Sequence, residues 1–184
     1  MSDVRVIVPL AEGVEEMEAV IVIDVLRRAG AEVAALGLDQ GEFVTASRGV
    51  RLGVDGKLSG DEDASAIVLP GGAGAAERLA ADERVKALLR RFEQDDKWIG
   101  AICAAPIVLV AAGVGAGKTM TSHPSVRDIV EPFAGPYVED SVALDPKILS
   151  SRGPGTSFDF ALNLVGLLFG VEKASEVRTP MVFC

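Results

Sequence analysis

Short apolar runs alternate with helical patterns along the whole chain, and this alternation limits the fold more than any other feature. Val4-Arg5-Val6-Ile7-Val8-Pro9-Leu10, Ala66-Ile67-Val68-Leu69 and Trp98-Ile99-Gly100-Ala101-Ile102 are nearly continuous in apolar character. That is the pattern of strands covered on both faces. Glu32 to Leu38 reads as another strand, and Phe43 to Leu58, with its glycines, as short antiparallel excursions. Glu15 to Ala29 reads as a helix stopped by Gly30. Behind an Asp82 N-cap, Val85, Leu88, Leu89 and Phe92 recur at i, i+3, i+4 and i+7, one amphipathic stripe. Ala104 to Ala112 reads as a helix ended by Gly113, and Thr119-Met120-Thr121 as a short strand. A final helix is expected from near Gly155, with Thr156 and Asp159 as a capping box and Phe158, Leu162, Val165 and Phe169 facing inward. Strands and helices in this order predict an α/β fold, a mostly parallel sheet with helices on both faces. With no linker, repeat or low-complexity stretch, residues 1–184 read as a single domain.

Composition narrows the partners. A net charge of -9 at pH 7 argues against a nucleic-acid or anionic-membrane surface. No apolar run is long enough to span a bilayer. Met1-Ser2-Asp3-Val4-Arg5 runs into an apolar strand without a small-residue cleavage site, so no signal peptide is expected and the chain reads as cytoplasmic. In that setting its two cysteines, Cys103 and Cys184, are expected to be thiols. One histidine and two cysteines do not make a usual zinc site, so no metal is expected. Ala112 to Thr119 loosely resembles a phosphate loop, but it follows a helix where a true one follows a strand, so no nucleotide site is expected.

In such a sheet, ligands gather beyond the carboxyl ends of the strands. Cys103 stands there, directly after Gly100-Ala101-Ile102 and before Ala104-Ala105-Pro106, a helix-starting sequence. A thiol facing a helix N-terminus is expected to have a lowered pKa, and small neighbours permit the sharp turn on which nucleophiles are displayed. Position alone leaves an inert buried cysteine equally open. Glu18 lies inside a stripe of Val14, Met17, Ile21 and Val25, where a carboxylate needs a partner or a raised pKa. Asp24 and Arg28 border that stripe, which keeps its burial open. Glu15 and Glu16 read as ordinary first-turn acids pointing elsewhere. His123, in Ser122-His123-Pro124, is either a base for the thiol or a surface-loop residue. Gly71 and Gly72 offer backbone N–H groups to an oxyanion, or simply a tight turn.

Together these pieces resemble the ThiJ/PfpI superfamily, and within it the parkinsonism-associated deglycase branch. The resemblance rests on Glu15-Glu16-Met17-Glu18, Val68-Leu69-Pro70-Gly71-Gly72, Ala101-Ile102-Cys103-Ala104-Ala105-Pro106, Ser122-His123-Pro124 and Ser151-Arg152-Gly153-Pro154-Gly155-Thr156, in that order. It implies a three-layer flavodoxin-like sandwich and makes Cys103 an oxidation-sensitive nucleophile. By the same resemblance Glu18 is its protonated partner, Gly72 and Ala104 are backbone donors, His123 is the histidine near the thiol, and Arg48 and Arg152 line the pocket. It further implies a homodimer through the first helix, Glu15 to Ala29, and a reaction without cofactor. Two departures stand out. Ala46 replaces a cysteine common among relatives, and the chain ends without sign of a further C-terminal helix, on a Cys184 expected to be an exposed thiol.

The resemblance implies a glyoxalase or deglycase acting on methylglyoxal-type dicarbonyls or their glycated adducts and giving 2-hydroxy acids. An oxidation sensor or stress chaperone working through Cys103 is the alternative, and a cysteine peptidase a lesser one.

Overall fold

The computed structural model describes residues 4–183, so Cys184 lies outside the described residues. The strands are β1 (Arg5–Leu10), β2 (Glu32–Gly37), β3 (Phe43–Thr45), β4 (Arg51–Gly53), β5 (Gly56–Lys57), β6 (Ala66–Leu69), β7 (Trp98–Ile102), β8 (Val142–Asp145) and β9 (Ile148–Ser151). The helices are α1 (Glu16–Arg28), α2 (Ala73–Ala81), α3 (Glu83–Gln94), α4 (Pro106–Ala112), α5 (Arg127–Val130), α6 (Ser157–Phe169) and α7 (Val171–Arg178). Among the described residues, seven strands form one sheet in the order β5-β2-β1-β6-β7-β9-β8, parallel except for β8 against β9. The expected α/β sandwich is therefore present.

The chain runs outward from β1 to β2, then returns to the other side of β1 as β6 and continues to β7. Right-handed crossovers in opposite directions put their helices on opposite faces. Accordingly α1 packs on α6 and α6 on α7, while α2, α3 and α4 pack on one another. Between β1 and β6 the connections leave in opposite directions and open a crevice at the carboxyl ends of the strands. Burial of β6 on both faces and of Val85, Leu88, Leu89 and Phe92 along α3 matches their apolar patterns. Asp82 caps α3 through the N–H groups of Arg84 and Val85, and Gly113 ends α4 in a left-handed conformation.

Several expectations change. The buried face of α1 is Glu18, Ala19, Val22, Val25 and Leu26, whereas Met17 is 54% and Val20 49% exposed. A helix apolar almost all round does not reveal its inner face; packing against α6 selects it. Thr156 does not cap α6 with Asp159. Its hydroxyl instead accepts from the N–H of Gly153 at 3.1 Å and shares a hydrogen bond with Ser151 Oγ at 2.6 Å, bracing the turn before the helix. Phe158 faces outward, edge-on to Phe183, and Phe160 fills the core in its place. A further C-terminal helix, α7, does follow α6. Met120 makes only an isolated bridge to Tyr137 in place of a strand. In the loop after α4, the Gly115 N–H donates to the Glu93 carboxylate and the Gly117 N–H to the Phe133 carbonyl, so those amides are engaged internally.

Candidate active site

Three chain segments meet at the carboxyl ends of β1, β6 and β7. Cys103 follows β7 with φ 64°, a left-handed conformation that a non-glycine residue adopts at some cost. Its N–H donates to the Ser151 carbonyl at 2.9 Å and its carbonyl accepts from the His123 N–H at 2.8 Å, so neighbouring backbone on both sides holds the strained turn. The residue is 9% exposed. The backbone N–H groups of Gly72 and Ala104 lie beside the sulfur, short of regular hydrogen-bond geometry, and act to favour its thiolate.

Glu18 enters from the first turn of α1 and is fully buried. Glu15 caps this helix by accepting from the Glu18 N–H at 2.8 Å, which fixes where the turn starts. The Gly71 N–H donates to Glu18 Oε2 at 2.7 Å, while Oε1 is buried without a partner of regular geometry. Gly71 is required here. A Cβ on it would lie 2.6 Å from Cys103 Cβ and 2.8 Å from Glu18 Oε2, so the thiol and the acid converge over a residue that must have no side chain. Gly72 adopts φ 90°, and a Cβ there would press into the backbone of Gly13 to Glu15.

The two groups perturb each other strongly. Burial pushes the Glu18 carboxyl up to about 7, against the opposing pull of the Gly71 N–H and the Cys103 thiol. Burial, followed by the charge of Glu18 and contact with it, pushes the Cys103 thiol up to about 12. Against the expectation of a thiol made acidic by the helix start, burial and the Glu18 charge raise its pKa, and α4 begins only at Pro106. The S–H···O contact falls short of regular hydrogen-bond geometry, yet the coupling makes these two groups one titrating pair. Oε1, buried without a hydrogen-bond partner, is where the carboxyl can hold its proton.

The remaining candidates lie around this pair. His123 is tied to Cys103 through its backbone, but its ring Nδ1 is 2.8 Å from Ser125 Oγ and no carboxylate partners it among the described residues. Arg152 directly follows Ser151, and its guanidinium donates to the Glu139 carbonyl at 3.0 Å. Arg48 sits on the exposed turn between β3 and β4, with Nη1 3.3 Å from the Ser47 carbonyl. Neither guanidinium touches the pair.

Glu16 is the residue that sequence reasoning missed. It is not a solvated first-turn acid: it is 9% exposed and accepts from Ser47 Oγ at 2.7 Å and from the Arg48 N–H at 2.8 Å. Burial acts to raise its pKa, but hydrogen bonds from its own N–H, the Ser47 hydroxyl and the Arg48 and Val50 N–H groups hold it below the usual range. Its offset of two positions from Glu18, roughly 200° around a helix, marks it as serving a different neighbour. A separate surface cavity of about 360 Å³, between α1 and the β3–β4 hairpin, is lined by Val20, Ile23, Arg27, Arg51, Leu52 and Asp55 and lies away from the thiol.

The DJ-1/PfpI family pattern matches residues 4–167. The chain belongs to the DJ-1/PfpI family. Parkinson disease protein 7 homolog of Danio rerio is 42% identical, with 99% of this chain and 98% of that protein covered. The glutathione-independent glyoxalase DJR-1.2 of Caenorhabditis elegans is 35% identical over 92% of this chain and 91% of its own length. The crystal structure of Drosophila melanogaster DJ-1beta superposes with a TM-score of 0.96 at 39% identity, covering 99% of each chain. The family resemblance read from the motifs and the flavodoxin-like fold it implied are thereby established.

Proposed function

We propose that this DJ-1/PfpI protein is a glyoxalase or deglycase working without glutathione or other cofactor, with Cys103 as nucleophile and Glu18 as proton carrier. The observation that carries this reading is the buried Glu18 carboxyl, held by the Gly71 N–H and coupled to the Cys103 thiol. The name of the C. elegans relative supports the reaction class.

In the proposed sequence, the Cys103 proton passes to the Glu18 carboxylate as sulfur adds to the aldehyde carbon of a methylglyoxal-type substrate. The new C–S bond leaves an oxyanion beside the Gly72 and Ala104 N–H groups, which stabilise it until Glu18 returns the proton and completes the hemithioacetal. The Glu18 carboxylate then takes the proton from the former aldehyde carbon to give an enediol, the hydroxyl proton passing between the two oxygens, and delivers its proton to the neighbouring carbon, converting the adduct to a thioester of a 2-hydroxy acid. Water cleaves that thioester, releasing the acid and restoring the thiol. A carboxyl held near neutrality suits both directions of proton transfer. Arg48 and Arg152 would meet anionic parts of larger, glycated substrates at the rim.

The test is lactate formation from methylglyoxal in metal-free, glutathione-free buffer. Wild type is expected to turn over and Cys103→Ser to be inactive; full activity in Cys103→Ser refutes the proposal. A second reading, an oxidation-sensing stress protein, is favoured by the unpartnered Glu18 Oε1, which when protonated could donate to an oxidised sulfur. Selective addition of two oxygens to Cys103 under mild peroxide, with negligible turnover, would establish it instead. The engagement of the His123 ring with Ser125 gives a peptidase-type base no support.

We also propose a cytoplasmic homodimer that pairs through α1. Its support is the exposure of Met17 and Val20 on that helix and of Val50 (48%) on the adjoining hairpin turn, beside the 360 Å³ cavity.

A further inference from the structure

The β3–β4 hairpin forms its own two-stranded sheet, outside the main one. It hangs on the loop of residues 11–16 by five hydrogen bonds. The Gly13 N–H donates to the Thr45 carbonyl at 2.8 Å and the Ser47 N–H to the Val14 carbonyl at 2.7 Å. Glu12 accepts from the Thr45 N–H at 3.1 Å, and Glu16 takes the Ser47 hydroxyl and the Arg48 N–H. The same loop touches the thiol's surroundings from its other side. The Glu15 N–H donates to the Gly71 carbonyl at 3.0 Å. That carbonyl and the Gly72 N–H belong to one rigid peptide plane, so the bond from Glu15 sets the direction in which the Gly72 N–H meets the Cys103 sulfur.

We propose that Glu16, which takes no part in the Cys103–Glu18 pair, is a positioning residue for the thiol: by gripping the turn at 47–50 it locks the 11–15 loop, and through Glu15 and the Gly71–Gly72 peptide it aims the donor that stabilises the thiolate. A buried carboxylate with several donors is a rigid anchor, whereas an exposed acid at that place would leave the hairpin held by two backbone bonds and the Glu12 carboxylate, none of which reaches the turn at 48–50. The inference rests on Cys103 as the reactive group, not on which reaction it performs.

The experiment follows the rate of alkylation of the Cys103 peptide by iodoacetamide at two fixed pH values near neutrality, resolved from Cys184 by mass spectrometry. Glu18 is the titratable group facing the sulfur, and Glu15 acts on Glu18 through space, so both are left intact. In Glu16→Ala the misaimed Gly72 donor should lower the thiolate fraction and slow Cys103 alkylation about tenfold at both pH values. Glu16→Gln, which keeps one acceptor oxygen, should restore most of the rate, and Ser47→Ala should reproduce part of the loss. A role confined to stability would lower the melting temperature and leave the alkylation rate of the folded protein in place. An unchanged or faster rate in folded Glu16→Ala overturns the proposal, and if that variant does not fold, an unchanged rate in Ser47→Ala does so. Because alkylation needs no turnover, the result stands apart from whether methylglyoxal is a substrate.

Discussion

Replacing Glu18 with glutamine separates the acid's charge from its shape. Glutamine keeps an oxygen for the Gly71 N–H but never ionises, so it mimics the protonated carboxyl at every pH. In the folded protein burial raises Glu18 from the usual 4.5 to about 7. A carboxyl whose pKa rises on folding stabilises fully below its unfolded value and loses that contribution as pH climbs through the folded one. At about 1.4 kcal/mol for each pH unit between those values, ionising Glu18 costs the native state about 3 kcal/mol by pH 8. The side chain is fully buried, so solvent screening does not shrink this figure. Urea unfolding of wild type and Glu18→Gln at one protein concentration, at pH 4.5 and pH 8, reads the difference directly. Relative to wild type, the variant should gain about 3 kcal/mol between the two conditions. Its turnover should meanwhile fall by about 10²–10⁴-fold, the usual loss on removing a general acid–base. Equal stability differences at both pH values would refute the reasoning, since Glu18 would then ionise in the folded protein as it does in water.

Other consequences are local. Gly71→Ala drives a Cβ into Cys103 and Glu18 and should cost about 1–3 kcal/mol in thermal unfolding, together with any methylglyoxal activity; a neutral effect would mean the two groups do not converge there. Asp82→Ala removes the acceptor for the Arg84 and Val85 N–H groups and the anchor of the Arg84 side chain, and should lower stability by about 1–2 kcal/mol without altering Cys103 reactivity. Val20→Asp charges the exposed face of α1 and should convert the proposed dimer to monomer in sedimentation equilibrium; an unchanged mass would move the interface elsewhere.

What was legible in the sequence followed from strong local signals. The apolar runs at Val6 to Leu10, Ala66 to Leu69 and Ile99 to Ile102 are buried on both faces, and only a sheet between helix layers offers that. Asp82 and Gly113 act as the caps their types suggest. Helix α2 was missed because Ala73-Gly74-Ala75-Ala76 is small and weakly patterned and Gly72 offers no side-chain cap. The β8–β9 hairpin was missed because its strands are four residues long and one ends in two serines. In α1 the apolar stripe misled, since Met17 and Val20 are as apolar as the residues that turn inward. Cys103 was placed by its turn, but its protonation was misjudged: the helix start is a local signal, whereas burial and the Glu18 charge come from other segments. Glu16 escaped for the same reason, because its partners lie about thirty residues away.

The central claim is that burial beside the Cys103 thiol holds the Glu18 carboxyl near neutrality, poised to take or give a proton. Its most direct test is a pH titration of the Glu18 carboxyl carbon, 13C-labelled, in wild type and in Cys103→Ala. The account predicts a midpoint near 7 in wild type that rises further when the thiol, which lowers it, is removed. A midpoint near 4.5 in both proteins would contradict it.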